Sequence, residues 1–144
     1  MKKNILMILI VLFSMIIGSC KSSSTQDNLF SFEASIEGIS RPSINEKFNI
    51  IVKTKNISGK PIIYEGSSTI IGAIIYLTGD NGEIIRPNDK PVTKDFRQVT
   101  INANQEIKTI WNFEYELIQN YGSYDLHFEF LDSTCIIEDF ILIE

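Results

Sequence analysis

The chain has 144 residues, 13 of them basic and 18 acidic, which gives a net charge of −5 at pH 7. This acidity excludes the basic footprint that nucleic-acid binding requires, so we expect no nucleic-acid partner. One histidine and two cysteines without a C-x-x-C spacing argue against a zinc site, and we expect no cofactor. The length allows one domain with its own core.

The first 19 residues have the layout of a secretory signal peptide. Lys2 and Lys3 form a short positive segment, and residues 5–17 are apolar except for Ser14. A helix needs about 20 apolar residues to cross a bilayer, and this run is shorter. A simple transmembrane anchor is therefore the weaker interpretation.

The residues Ile17, Gly18, Ser19 and Cys20 resemble the lipobox of bacterial lipoproteins, in which a branched apolar residue and two small residues precede a cysteine. The resemblance implies that signal peptidase recognises Ile17, Gly18 and Ser19, and that Cys20 becomes the lipid-bearing first residue. Two or more acyl chains hold a protein stably at a membrane. We therefore predict an exported protein, anchored in the cell envelope through Cys20, and in the outer membrane if the bacterium has two membranes. An ordinary signal peptide is the alternative.

Cleavage before Cys20 sets the predicted domain organisation. Removal of 19 of the 144 residues leaves 125, and loss of Lys2 and Lys3 leaves 11 basic against 18 acidic residues, a net charge of −7. Residues 20–28 are a lipidated cysteine and a polar tether, and residues 29–144 are the folded domain. If the Cys20 sulfur is a thioether, Cys135 is a lone thiol, buried as a small apolar residue.

After the tether, apolar and polar residues alternate with a period of two, which indicates half-buried β-strands. Asp80, Asn81 and Gly82 form the strongest hairpin signal. We expect an antiparallel immunoglobulin-like β-sandwich of seven or eight strands, with a closed barrel as the alternative. The predicted strands are residues 30–37, 48–55, 70–77, 83–86, 96–101, 107–116, 124–130 and 136–143.

Residues 48–131 resemble the immunoglobulin-like domain of the BsuPI-type intracellular proteinase inhibitors. The similarity rests on four stretches: residues 56–61, the hairpin at 80–82, the turn at 102–106 before the Trp111 strand, and residues 122–124. It implies the fold and, as an alternative function, inhibition of a proteinase, without identifying inhibitory residues. Tyr124 resembles the tyrosine corner of such domains, whose hydroxyl bonds to backbone upstream.

Asp125, His127 and Glu129 alternate along one strand and are the candidate metal ligands. In a simple hairpin closed by residues 132–134, His127 pairs with Asp139, which places three carboxylates near one imidazole. The alternative is a solvated strand face on which acidic neighbours favour protonation of His127.

The sequence contains no nucleophile elbow and no phosphate-binding glycine loop. Cys135 and His127 are predicted to lie too far apart for a Cys-His nucleophile pair. We therefore expect a non-enzymatic envelope module that contacts another protein or a polymer. A proteinase inhibitor and a metal-binding envelope protein are the alternatives.

Overall fold

The computed structural model describes residues 18–19, 29–39, 41–67, 71–90 and 95–144. These residues form ten strands. The strands are β1 (Gly18–Ser19), β2 (Phe30–Ile36), β3 (Phe48–Asn56), β4 (Ile62–Ser67), β5 (Ile74–Gly79), β6 (Ile84–Ile85), β7 (Phe96–Ile101), β8 (Glu106–Phe113), β9 (Gly122–Phe130) and β10 (Ser133–Ile143).

The strands form two four-stranded antiparallel sheets and a two-stranded ribbon. The first sheet has the order β1-β2-β3-β8, the second has the order β10-β9-β5-β6, and the ribbon pairs β4 with β7. This architecture confirms the prediction of an antiparallel all-β sandwich. Within the described ranges, no helix is long and apolar enough to cross a membrane.

The core lies between the two sheets and is dominated by aromatic rings. Phe32 of β2 stacks on Phe128 of β9 with ring centroids 5.4 Å apart. Phe30 meets Phe130 edge to face at 4.8 Å, and Tyr64 attaches the ribbon to the sandwich by stacking on Phe130 at 5.7 Å. The alternating pattern of β2 and β9 therefore predicted the buried faces correctly, because successive side chains of a strand point to opposite sides.

A buried amide holds together the turns at one end of the sandwich. Asn56, at the end of β3, is fully buried. Its Nδ2 donates to the carbonyl oxygens of Lys60, Ile101 and Asn102 at 2.8, 3.0 and 3.1 Å, and its Oδ1 accepts from the Ser58 amide at 3.0 Å. One side chain thus satisfies backbone groups of two turns that are distant in sequence.

Tyr124 forms the backward hydrogen bond that the tyrosine-corner resemblance implied. Its hydroxyl lies 3.0 Å from the Asn120 carbonyl oxygen and 2.9 Å from Glu83 Oε2. Burial, with the hydrogen bond to Glu83 adding to it, raises the pKa of Tyr124 to about 12. The neutral phenol therefore fixes the approach to β9 against the β5–β6 hairpin.

One strand of the structure was not predicted from the sequence, and another begins later than predicted. β4 lies in residues that were not assigned, and β5 begins at Ile74 rather than at residue 70. Gly72 has a φ of 130°, and a Cβ there would collide with Thr109 Oγ1 of β8. The chain before β5 therefore lies against the first sheet, where only glycine fits so close a contact.

We predict that Asn56→Ala lowers the free energy of unfolding by about 1–3 kcal/mol, because the buried Ile101 carbonyl group and the partly buried Lys60 and Asn102 carbonyl groups lose their donor. Urea unfolding followed by circular dichroism measures this change. Asn102→Ala is the control, since the Asn102 side chain is exposed, and its effect should stay within about 0.5 kcal/mol. Equal losses in the two variants would contradict the role assigned to Asn56.

Candidate functional site

The predicted signal-peptidase and lipidation residues fall largely outside the described ranges. Ile17 and Cys20 are not described, whereas Gly18 and Ser19 form β1. β1 pairs with the middle of β2, where Gly18 lies opposite Ala34 and Ser19 opposite Glu33. Cleavage before Cys20 would remove β1 and leave β2 at the edge of the first sheet.

Cys135 is buried, with 5% of its surface exposed, as predicted. A lone thiol was predicted for a chain with a thioether at Cys20, whereas Cys135 is disulfide-bonded in this structure. The sequence contains one other cysteine, Cys20. A thioether at Cys20 and an intramolecular disulfide of Cys135 are therefore mutually exclusive, because each uses the same sulfur atom.

The β9–β10 hairpin differs from the predicted register. Phe130 pairs with Ser133, so His127 lies opposite Ile136 and not opposite Asp139. The connection is tighter than expected because Leu131 adopts a left-handed φ of 51°. The predicted pairing of His127 with Asp139 is wrong for this reason.

Asp139 instead lies beside the beginning of β9. The ladder of β9 and β10 is interrupted by an irregularity between Ile137 and Ile141. There the Asp139 amide donates to Asp125 Oδ1 at 2.9 Å, and the Asp139 carboxylate accepts a short hydrogen bond from the Ser123 hydroxyl. Two of the acidic groups are thus held by this bulge and its neighbours.

His127 occupies a half-buried position on the outer face of the second sheet. Its ring stacks on Tyr76 with centroids 4.5 Å apart, and its Nε2 lies 2.8 Å from Thr78 Oγ1. Burial lowers the pKa of His127, and the opposing effects of Asp125 and Glu129 are smaller. The predicted gain of a proton is therefore wrong. Within the described ranges, no three His, Cys, Asp or Glu side chains are grouped to hold a metal ion.

A cleft of about 860 Å³ opens beside Tyr76, where the chain crosses from one sheet to the other. β6 ends at Ile85, and the Arg86 amide donates to Glu116 Oε2 at 2.8 Å instead of extending the ladder. The next residue, Pro87, has no N–H. The Asn88 amide then donates to the Asn112 carbonyl oxygen of β8 at 2.8 Å. The segment of residues 86–90 therefore leaves the second sheet and forms one wall of the cleft.

The floor of the cleft is fixed by side chains of the first sheet. Trp111 Nε1 donates to the Ala73 carbonyl oxygen at 3.0 Å, and the Ala73 amide donates to Thr54 Oγ1 at 3.3 Å. Both backbone groups of Ala73 are thus bound by β3 and β8 just before β5 begins. Trp111, at 4% exposure, is the buried aromatic that the sequence predicted for the core.

Two cationic side chains line the cleft, and neither forms an ion pair with a described residue. Lys90 Nζ lies 4.4 Å from the centroid of the Trp111 ring. Burial lowers the pKa of Lys90. Within the described part of the chain, neither the Lys90 ammonium nor the Arg86 guanidinium is within 4.0 Å of a carboxylate oxygen. Asp89 and Glu129 also line the cleft.

The outer wall of the cleft is apolar and exposed. Ile74 and Ile84 are 53% and 47% exposed, and Tyr76 lies between them on the same face of the second sheet. The sequence analysis assigned these residues to strands but not to a site. The sequence predicted an irregular crossing loop over residues 87–93, but not the packing of Lys90 against Trp111 or the bond from Asn88 to β8 that shape the cleft.

We predict that the His127 ring titrates with a pKa below 6.5, and that Asp125→Asn with Glu129→Gln lowers it further, because both carboxylates raise it. The titration is followed by NMR on the ring protons. A folded-state pKa below the unfolded value implies that stability is lost as the pH falls from 6.5 through the folded pKa. A pKa above 6.5 would contradict this environment.

Comparison with known proteins returned no matching family model, curated protein or solved structure. The resemblance of residues 48–131 to the BsuPI type and that of the N-terminus to a lipobox stay predictions.

Proposed function

We propose that the chain is a lipid-anchored lipoprotein of the cell envelope whose β-sandwich binds another envelope protein through the cleft beside Trp111. The observation that carries the binding role is the pair of cations, Lys90 and Arg86, next to exposed isoleucines. Exposed apolar side chains mark protein-binding surfaces, and arginine is enriched at such interfaces.

The arrangement favours a protein over a polysaccharide as the partner. Sugar-binding sites use an aromatic ring whose face is open to stacking. Trp111 is 4% exposed and has the Lys90 ammonium against its ring, so its face is covered. Ile74 and Ile84 instead present branched aliphatic surface, which suits the side chains of another protein.

The proposed role is binding and not catalysis. The imidazole of His127 is stacked on Tyr76 and has its Nε2 at Thr78. These contacts support a structural role for His127. Cys135 is buried, with 5% of its surface exposed, which supports a structural role for this residue as well. The lipid proposed at Cys20 excludes an intramolecular disulfide of Cys135 and supplies the location by retaining the domain near the membrane.

We predict that Cys20→Ser abolishes incorporation of labelled fatty acid and releases most of the protein from the membrane fraction, because serine cannot form the thioether. Metabolic labelling and cell fractionation measure the two effects. Cys135→Ser is the control and should retain label and membrane association.

The intact mass of the purified protein provides a second readout of the same proposal. A diacylglyceryl thioether adds the mass of the lipid, whereas an intramolecular disulfide removes only two hydrogen atoms. An unlipidated chain that remains at the membrane after Cys20→Ser substitution would contradict the anchor.

We predict that a photo-crosslinking residue at position 84, introduced into the chain in its native cell, captures one protein of defined mass. Ile84 lines the cleft, whereas Ile110 is also an exposed isoleucine but lies on β8, in the opposite sheet. The same crosslinker at position 110 should not capture that protein. Equal capture at both positions, or none at position 84, would contradict the cleft as the binding surface.

A further inference from the structure

We propose that the cleft binds a peptide segment with one carboxylate beside an apolar side chain, and that this carboxylate pairs with the Lys90 ammonium. This inference rests on the proposed function, in which the sandwich binds a protein, and it specifies which chemistry of that protein is recognised. The cleft volume of about 860 Å³ far exceeds a simple anion and falls in the range of sites for larger ligands.

The environment of Lys90 indicates that the ligand carries an anionic group. Its ammonium is partly withdrawn from water against the Trp111 ring, and no carboxylate of the described chain lies within ion-pair distance. A charge removed from water is costly unless it is paired. An incoming carboxylate would supply the missing partner in a partly desolvated place, where the attraction is stronger than at an open surface.

The exposed isoleucines on the opposite wall of the cleft indicate that the ligand also has an apolar part. Ile74 and Ile84 project from the same face of the second sheet with about half of their surface exposed. Ile84 lies opposite Thr78, four strand positions from Ile74, so the two isoleucines are about 13 Å apart. Burial of an aliphatic side chain against either of them stabilises a complex by roughly 25 cal/mol for each Å² removed from water. A segment that carries an acidic residue next to an apolar one can pair its carboxylate with Lys90 and bury its apolar side chain against the isoleucine wall.

The remaining charges limit how acidic the segment is. Asp89 and Glu129 line the same cleft and would repel a second carboxylate. Arg86 provides one further cation on the wall formed by residues 86–90. The charge pattern therefore favours a segment with a single acidic residue over a polyacidic one.

The test uses phage that display random octapeptides flanked on both sides by Gly-Ser, selected on the protein purified in the form the cell makes. We expect an enriched family with one Asp or Glu beside an apolar residue. A synthetic peptide of that family, measured by fluorescence anisotropy, should bind the Lys90→Met variant at least about tenfold more weakly, a change of about 1.4 kcal/mol.

Two controls separate charge pairing from a general effect. Lys108→Met removes an exposed lysine of β8 and should leave the affinity within about twofold. Lys90→Arg keeps the charge and should retain binding, which shows that the site is still folded. Replacing the acidic residue of the peptide with its amide should weaken binding to the unaltered protein but not to Lys90→Met, as the double-mutant cycle requires.

The proposal is overturned if no peptide family is enriched, if the enriched peptides are neutral or basic, or if Lys90→Met and Lys108→Met weaken binding equally. These failures differ from failure of the proposed function. Position-specific crosslinking at residue 84 together with a negative peptide selection would mean that a protein binds the cleft without a carboxylate at Lys90.

Discussion

The hydrogen bond from the Trp111 indole to the Ala73 carbonyl oxygen is the contact on which the architecture of the cleft depends. It joins β8 of the first sheet to the residue that precedes β5 of the second, 38 positions away in sequence. Thr54 holds the amide of the same residue. Because both backbone groups of Ala73 are bound to the first sheet, β5 begins only at Ile74, and its outer face then diverges from the wall of residues 86–90.

The alternation of apolar and polar residues predicted the fold because the apolar residues of each strand are the ones that are buried in the core. Phe32, Trp111 and Phe128 were assigned to the core from alternation alone, and all three are buried. The Asp80–Gly82 turn also follows from local chemistry, since Gly82 has a φ of 81° that glycine adopts without strain.

The candidate site was not predictable in the same way. The pairing of His127 depends on how tightly the β9–β10 hairpin closes, and the left-handed conformation of Leu131 is not typical of a branched residue. The cleft depends on the β5–β6 ladder ending at Ile85, where the Arg86 amide bonds to Glu116, and on Asn88 bonding to the opposite sheet. These are tertiary contacts between distant residues, and a local pattern does not encode them.

The lipid predicted at Cys20 and the disulfide of Cys135 cannot both be present in one chain if the disulfide is intramolecular. Lipid at Cys20 is expected from the lipobox-like residues, whereas the structure has Cys135 in a disulfide. With two cysteines in the sequence, these states describe different forms of the chain. The cleft is lined by residues of β5, β6 and β8, by Glu129 of β9 and by residues 86–90, and neither cysteine is among the described residues that line it, so the binding proposal applies to both forms.

The central claim is that the cleft beside Trp111 recognises a carboxylate-bearing segment of another protein. A crystal structure of the protein with a selected peptide tests it most directly. The expected result is a carboxylate oxygen within hydrogen-bond distance of Lys90 Nζ and an apolar side chain against Ile74 or Ile84. A peptide seated on another surface, or one whose carboxylate points to solvent away from Lys90, would contradict it.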